Sequence, residues 1–280
     1  MAGIDCAGRW LDLSTPRVMG VLNVTPDSFS DGGRWFSTEA AVIQAHQLVE
    51  AGAAVVDIGG ESTRPGALPV SESEELARVI PVIEALGRAF PVPLSIDTSK
   101  PGVMKAAVAA GASLINDVLA LRQPGALEAA ASCEVPVCLM HLLGEPRTMQ
   151  QRPLYHEVVT EVRDFLMARV AACEAAGIPR TRLLIDPGIG FGKTPNHNLT
   201  LLRRLGELNA LGLPLMVGVS RKSLIGVVTG RPITERLAGS LALAVLAAQR
   251  GACLLRVHDV AETVDALALV RAVSEGLPEQ

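Results

Sequence analysis

The chain repeats one pattern eight times, a short aliphatic run followed by a longer stretch with helical spacing. The aliphatic runs lie at residues 18–22, 54–58, 93–96, 113–115, 135–140, 182–185, 214–219 and 253–257. Nearly continuous apolar runs are typical of parallel strands that are covered on both faces. Helical spacing occurs at residues 38–51, 71–89, 101–110, 124–132, 156–176, 196–211, 234–250 and 259–275. Eight such units predict an α/β fold, the (β/α)8 TIM barrel.

Glycines mark the ends of several predicted helices. Gly52, Gly111, Gly177 and Gly251 each follow an Ala-rich stretch and precede a strand, where glycine can adopt the left-handed capping conformation. An open, doubly wound sheet is the alternative fold because it uses the same repeated unit. The strand ends favour the barrel, since nearly every aliphatic run stops at a polar residue and barrels place catalytic groups there.

The composition shows no boundary between domains. The sequence contains no low-complexity tract, Ser/Gly linker or block of like charge, so we predict one domain over residues 1–280, with residues 1–16 as an N-terminal extension. The net charge of −4 argues against nucleic-acid or membrane-surface partners. No targeting pattern or membrane span is evident, which favours a cytoplasmic protein. Five cysteines without a Cys-x-x-Cys pair favour reduced thiols over disulfides or structural zinc.

Polar residues occupy the ends of the predicted strands. They are Asn23, Asp57 with Glu61, Asp97, Asn116 with Asp117, His141, Asp186, Ser220 to Lys222, and Arg256 with His258. Because the carboxyl ends of barrel strands meet at one face, these side chains predict a site there. Two neighbours, Ser99 and Asp259, are better interpreted as helix N-caps.

Two glycine-rich loops follow strand ends. The loop at residues 59–66 offers backbone N–H groups, a hydroxyl and a guanidinium to an anion, although a turn with a surface Arg is the alternative. Residues 186–194 end in Gly-Lys-Thr, yet the Walker spacing requires a glycine where Pro187 stands. Asp186 is therefore the candidate functional group of that loop, and the glycines leave room for a flat ligand. Phe191 either stacks on this ligand or covers it.

Charges at the strand ends form two groups. The basic group consists of Arg221, Lys222, Arg256 and His258. It follows the last two strands, where many barrels bind phosphate. The acidic and amide group consists of Asp97, Asn116 and Asp186, and a flat heterocycle with a guanidine-like edge would satisfy it. A divalent metal held by these carboxylates is the alternative, but no metal-ligating residues recur at short spacing.

Seven segments together resemble the dihydropteroate synthases. They are residues 23–33 (Asn-Val-Thr-Pro-Asp-Ser-Phe-Ser-Asp-Gly-Gly), 61–66, 95–98, 115–117, 186–193, 220–223 and 256–258. The resemblance implies a transferase that joins 6-hydroxymethyl-7,8-dihydropterin diphosphate to 4-aminobenzoate, forming 7,8-dihydropteroate and releasing pyrophosphate. It also implies a requirement for Mg²⁺, a homodimer formed through barrel helices, and competition by sulfonamides, which mimic 4-aminobenzoate.

The resemblance further implies roles for the matching residues. The pterin would be held by Asp97, Asn116, Asp186 and Lys222, with Arg256 over its ring. The diphosphate would be held by Asn23, Thr63, Arg64, Arg256 and His258, with Mg²⁺ at Asn23. The aminobenzoate would lie near Phe29, Thr63, Pro65, Phe191, Lys222 and Ser223. The residues expected to carry the chemistry are Asp97, Lys222, Arg256 and His258.

The charge layout favours loss of pyrophosphate before the arylamine attacks, because bases and Mg²⁺ would stabilise the leaving group while Asp97 stabilises the cationic methylene. Residues 24–33 are expected to form a mobile flap that brings Phe29 over the aminobenzoate. Two other classes stay open: a pterin-binding module that presents methyltetrahydrofolate to a corrinoid protein, and a paralogue without catalysis. The first needs no diphosphate site, so Asn23, Thr63 and Arg64 argue against it.

Overall fold

The computed structural model describes residues 3–25, 38–62, 68–87, 89–145 and 148–276. Two antiparallel strands, β1 (Gly3–Asp5) and β2 (Trp10–Asp12), come first. Eight parallel strands follow: β3 (Arg17–Asn23), β4 (Val55–Gly59), β5 (Leu94–Asp97), β6 (Leu114–Asp117), β7 (Val137–Met140), β8 (Leu183–Asp186), β9 (Met216–Gly218) and β10 (Leu254–Val257). Their order is β8-β7-β6-β5-β4-β3-β10-β9. A parallel bridge between Ile185 and Leu215 joins the two edges, so the prediction of a barrel is confirmed.

Helices surround the strands. The described residues contain α1 (Thr38–Glu50), α2 (Glu72–Leu86), α3 (Pro101–Ala110), α4 (Ala126–Cys133), α5 (Val158–Ala175), α6 (Pro195–Arg203), α7 (Ser223–Thr229), α8 (Leu237–Gln249) and α9 (Val260–Glu275). The stretch predicted as one helix at residues 196–211 is α6 followed by a 3₁₀ helix, Leu205–Leu211. The short helix α7 was not predicted, because seven residues show too little of a helical period.

Local signals account for most helix ends. The four glycines expected to stop helices, Gly52, Gly111, Gly177 and Gly251, all have positive φ, at 97°, 132°, 86° and 98°. This is a backbone region that side chains with a Cβ rarely occupy. Ser71 caps α2, since its hydroxyl accepts the N–H of Glu74 at 3.2 Å.

Ser99 and Asp259 were both predicted to be helix N-caps. The prediction for Ser99 is wrong, because Lys100 occupies the N-cap of α3 and the Ser99 hydroxyl donates to Asp117. Asp259 does occupy the N-cap of α9, but its carboxylate pairs with Arg221 and makes no capping bond. Both side chains pair with residues distant in sequence, Asp117 and Arg221, which a local capping pattern does not include.

The β1–β2 hairpin lies at the N-terminal end of the barrel. Ile4, Leu11 and Leu13 are buried in one cluster with residues near the beginnings of the barrel strands, including Met19 and Leu184. Burial of this apolar surface stabilises the hairpin against the barrel. It leaves the opposite end, where the strands finish, for ligands.

All five cysteines are free, and Cys6, Cys138 and Cys173 are buried. Within the part of the chain that the structure describes, no helix is both long enough and apolar enough to cross a membrane.

Candidate active site

Arg256 lies at the centre of the polar strand ends. From β10 its Nε donates to Oδ2 of Asp57 at 2.6 Å, and its Nη2 donates to Oδ2 of Asp97 at 2.7 Å. Asn116 on β6 donates to the same oxygen of Asp57 at 3.1 Å. Strands β4, β5, β6 and β10 therefore bring three of the predicted pterin residues, Asp97, Asn116 and Arg256, into one hydrogen-bonded group.

Asp57 was predicted to lie at the site, but the sequence assigned it no ligand and no partner. Its partner, Arg256, lies 199 residues away in sequence, so no local pattern indicates the pair. Asp57 is fully buried, and a buried carboxylate needs a countercharge or hydrogen-bond donors. Its Oδ1 has no hydrogen-bond partner among the described residues, so Arg256 and Asn116 serve only one of its two oxygens.

The environment of Asp97 opposes its ionisation. Burial, together with the nearby carboxylate of Asp57, raises the pKa of Asp97 to about 7, although the Arg256 guanidinium acts to lower it. This carboxyl therefore changes charge close to neutral pH. A ligand N–H group placed at Asp97 would favour the ionised form.

Asp186 ends β8 on the same side of the barrel. Its Oδ1 accepts the N–H of Gly188 at 2.7 Å. Burial raises the pKa of Asp186 to about 6, while that hydrogen bond and the charge of Lys222 act to lower it. Asp186 is thus a second buried carboxylate with capacity left for a donor.

Lys222 connects Asp186 to an aromatic side chain. Its Nζ lies 4.2 Å from the centre of the Phe191 ring, which is a cation–π distance. Burial lowers the pKa of Lys222 to about 8, and the Asp186 carboxylate opposes this fall. Ser223 follows as the first residue of α7 and is exposed. The structure therefore places Lys222 beside both the acidic group and Phe191.

One of the four bases predicted at the strand ends, Arg221, pairs with a neighbouring acid. Arg221 has a positive φ of 55° and directs its guanidinium to Asp259, with Nε 3.1 Å from Oδ2. This ion pair engages the Arg221 guanidinium, whose charge still acts to lower the pKa of His258. In His258, burial and the charge of Arg256 lower the pKa to about 4, so the imidazole is uncharged at neutral pH. Its Nδ1 lies 3.1 Å from Oγ of Ser220.

Three other polar strand ends serve the structure instead of this group. Glu61 pairs with Lys100, which also contacts Glu75. Asp117 accepts backbone N–H groups through both of its oxygens, at 2.8 Å and 2.7 Å. His141 is buried against the side chain of Lys193, with its Nδ1 2.8 Å from Nζ. A polar strand end is therefore an insufficient criterion for the site.

The predicted metal residue Asn23 ends β3 and is half-buried. Its side-chain amide has no hydrogen-bond partner within the described ranges. In those ranges no three His, Cys, Asp or Glu side chains are arranged to hold a metal ion. A single amide oxygen suits Mg²⁺, which keeps much of its water and binds through few protein ligands plus substrate phosphates. The donor set thus fits a magnesium ion that is carried largely by a diphosphate.

Four residues predicted from the sequence lie outside the described residues. They are Phe29, Thr63, Arg64 and Pro65. The segment predicted as a flap, residues 24–33, is described only for Val24 and Thr25.

Comparisons with known proteins cover nearly all of the chain. A sequence profile for the pterin binding enzyme family matches residues 19–258. The chain is 55% identical over 265 residues to the dihydropteroate synthase of Escherichia coli (strain K12), covering 95% of this chain and 94% of that protein. A structure of Xanthomonas albilineans dihydropteroate synthase with 4-aminobenzoic acid is 58% identical, covers 99% of each chain and has a TM-score of 0.93. The X. albilineans enzyme in complex with 7,8-dihydropteroate has a TM-score of 0.90 at 56% identity, over 99% of this chain and 100% of that chain.

Proposed function

The chain belongs to the pterin-binding enzyme family, and on this premise we propose that it catalyses the dihydropteroate synthase reaction. The resemblance found in its sequence motifs is confirmed. It is a transferase that condenses 6-hydroxymethyl-7,8-dihydropterin diphosphate with 4-aminobenzoate to 7,8-dihydropteroate and pyrophosphate in folate biosynthesis. The observation that carries this function is the group of Asp97, Asn116 and Arg256, joined by Asp57, beside Asp186 and Lys222.

The acidic half of this group suits a pterin. Asp97 and Asp186 are buried acceptors, and the pyrimidine edge of a pterin carries adjacent N–H donors. Charge-assisted hydrogen bonds to a buried carboxylate are roughly twice as strong as neutral ones. Asn116 supplies an amide next to them, and Lys222 supplies a donor for a ring acceptor. These contacts would orient the pterin with its methylene toward the basic residues.

The reaction then separates charge in a direction that these residues can stabilise. The methylene C–O bond breaks first, its electron pair leaves with pyrophosphate, and positive charge spreads from the methylene into the pterin. Arg256 and His258 would donate to the leaving diphosphate, while ionised Asp97 would lie near the cation. The arylamine nitrogen attacks the methylene and loses its proton to solvent. Because an arylamine is already unprotonated at neutral pH, positioning matters more than a strong base.

The aminobenzoate would lie on the side of Lys222 and Phe191. Phe191 offers an aromatic face, and the Ser223 hydroxyl at the beginning of α7 could donate to the ring carboxylate. Phe29, Thr63 and Pro65 are assigned to the same subsite from the resemblance alone, as Thr63 and Arg64 are to the diphosphate. Sulfonamides, as mimics of this substrate, are proposed to compete for the subsite.

We assign Mg²⁺ to the diphosphate, with Asn23 as its protein ligand. When bound, Mg²⁺ would offset the negative charge of the phosphate oxygens. Asn23 would fix the position of the diphosphate relative to Arg256 and His258. The fit rests on the unpartnered amide of Asn23 at the end of β3, within the described part of the chain.

A homodimer is proposed from an apolar surface on the outer helices. Val227 and Val228 on α7 are 65% and 63% exposed, and Leu269 and Val273 on α9 are 68% and 88% exposed. Exposed apolar residues on the outer helices suit burial against a second copy. The proposed place of action is the cytoplasm, with small-molecule substrates and neither nucleic acid nor membrane as partners.

One assay tests the proposed function. Purified protein with the pterin diphosphate, 4-aminobenzoate and Mg²⁺ should release pyrophosphate only when all three are present. Release that does not depend on 4-aminobenzoate would overturn the synthase assignment. Pterin binding without any release would indicate a binding protein instead.

A further inference from the structure

The loop between β8 and α6 carries two of the proposed ligand contacts on a backbone that is intrinsically flexible. It contains Gly188, Gly190 and Gly192, whose φ angles are 66°, 85° and 62°. Glycine adopts many conformations at little cost, so the sequence of the loop does not by itself hold one shape. Asp186 at its beginning and Phe191 within it nevertheless need fixed positions in the site.

The side chain of Lys193, near the end of this loop, is buried and hydrogen-bonds to the loop backbone. Only 2% of the residue is exposed, and its Nζ lies 2.9 Å from the carbonyl oxygens of both Gly188 and Phe191. Nδ1 of His141 lies 2.8 Å from the same nitrogen. A protonated lysine has three N–H donors and no acceptor, and four acceptors surround this one, the fourth being the carbonyl oxygen of His141 at 3.4 Å. Lys193 is therefore engaged with two loop carbonyls and with His141.

Side chains from the preceding connection hold the remaining loop carbonyls. Tyr155 donates from its hydroxyl to the carbonyl of Gly192 at 2.9 Å, and Gln150 donates to the carbonyl of Gly190 at 2.6 Å. The N–H of Gly190 is bound by Asn198 of α6 at 2.7 Å. The carbonyls of residues 188, 190, 191 and 192 thus all accept hydrogen bonds from side chains, those of Lys193, Gln150 and Tyr155.

Steric contact agrees with these hydrogen bonds. A Cβ added to Gly188 would lie 1.9 Å from the carbonyl oxygen of His141, and one added to Gly192 would lie 2.7 Å from that of Leu143. The connection after β7 therefore packs against the loop at backbone distance. The glycines permit this approach, and Lys193 and its neighbours restrict the freedom that the glycines introduce.

We propose that Lys193, paired with His141, is a positioning residue that holds the loop of residues 187–192 so that Asp186 faces the pterin and Phe191 faces the aminobenzoate. Lys193 touches neither ligand. When protonated, Lys193 also favours the ionised carboxylate of Asp186, although burial lowers the pKa of Lys193 to about 7. The assignment of the two ligands rests on the proposed function, whereas the restraint on the loop does not.

Three variants test this role. Lys193→Met keeps the length of the side chain and removes its donors; Gln150→Ala removes a donor from an exposed residue. Lys105→Met, on the exposed face of α3, is the matched control.

For Lys193→Met we expect the Kd of the pterin diphosphate and the KM for aminobenzoate to rise about tenfold or more, as for the loss of a hydrogen bond from a charged group, with kcat changed less. For Gln150→Ala we expect a rise of about threefold in the KM for aminobenzoate, as for a neutral hydrogen bond.

Amide hydrogen exchange gives a readout that does not depend on the ligands. The N–H groups of Gly188, Gly190 and Phe191 should exchange faster in Lys193→Met, while those of the barrel strands remain as in the control. A variant that only lowers Tm, with Kd, KM and loop exchange within twofold of the control, would overturn the proposal. If Lys193→Met does not fold, Gln150→Ala decides, and an unchanged KM with unchanged exchange at Gly190 would overturn it. A wild-type protein that fails to bind the pterin diphosphate contradicts the proposed function instead.

Discussion

Arg256 Nε lies 2.6 Å from Oδ2 of Asp57, which joins a cation at the end of β10 to a fully buried carboxylate on β4. The other edge of the same guanidinium reaches Asp97 at 2.7 Å. Arg256 therefore bridges two acids. Asp57 is not among the residues proposed to bind the pterin, so its contact with Arg256 can persist when a pterin binds at Asp97.

Replacement of Asp57 should lower the stability of the protein. In Asp57→Asn the guanidinium of Arg256 loses one of its two acidic partners, and removal of one partner of a buried pair costs about 3–5 kcal/mol. We expect a fall of about 3 kcal/mol in the free energy of unfolding, measured by urea denaturation, together with lower turnover. Asp164→Asn, at an exposed ion pair, is the control. A free energy of unfolding of Asp57→Asn within about 1 kcal/mol of that of the wild type would show that the ion pair of Asp57 and Arg256 is weak.

Arg256 and His258 should both act on turnover. Each is proposed to donate to the leaving pyrophosphate, and removal of one such donor typically reduces kcat by about 10²–10³-fold. We expect a decrease of that order for His258→Ala, with the Kd of the pterin retained, and a comparable decrease in kcat for Arg256→Ala, by steady-state kinetics and calorimetry. Unchanged turnover in both variants would reject their role.

Pterin affinity should fall in acid because of Asp97. With its pKa at about 7, Asp97 gains a proton as the pH decreases, and a protonated carboxyl accepts N–H donors poorly. Below that pKa the Kd should rise by about tenfold per pH unit. The free energy of unfolding depends on pH in the opposite direction. The Asp97 carboxyl binds its proton more tightly in the folded state than in the unfolded state, where its pKa has the ordinary value of 3.8. The contribution of Asp97 to stability is therefore present below about pH 4 and lost as the pH rises through about 7.

Calorimetric titration from about pH 5.5 to about pH 8.5, which brackets that pKa, measures the change in affinity. Asp97→Asn should bind weakly with a flatter pH dependence. A wild-type Kd that stays constant over this range would contradict the role of the Asp97 charge.

Asn23 should set the requirement for magnesium. Removal of one of few protein ligands should raise the Mg²⁺ concentration for half-maximal pyrophosphate release by about tenfold in Asn23→Ala, of the order of a single metal contact. Asn23→Asp keeps an oxygen ligand and should restore much of the affinity. Full activity of the wild type in excess chelator would rule out the metal assignment.

Phe29 should distinguish the two substrates. We expect Phe29→Ala to raise the KM for aminobenzoate more than it weakens binding of the pterin diphosphate, because its proposed contact is to the second substrate alone. Kinetics with each substrate varied in turn measures the difference. The opposite result would place this residue on the pterin side.

The strands, most helices and the polar ends of the strands could be predicted from the sequence because the signals are local. Eight apolar runs and four glycine stops define β3 to β10 within a few residues of the observed bounds. The β1–β2 hairpin was not predicted, since each of its strands has only three residues. Its stability comes from contacts with distant barrel residues such as Leu184 and Met216.

The sequence by itself determined the barrel, the family and the set of polar residues at one end. Only the tertiary structure decided which of these residues form ion pairs: Arg256 with Asp57 and Asp97, and Arg221 with Asp259. The reason is that periodicity and capping act between residues a few positions apart. Countercharges and donors for buried groups are chosen by proximity across the barrel, where the partners lie as many as 199 residues apart in sequence.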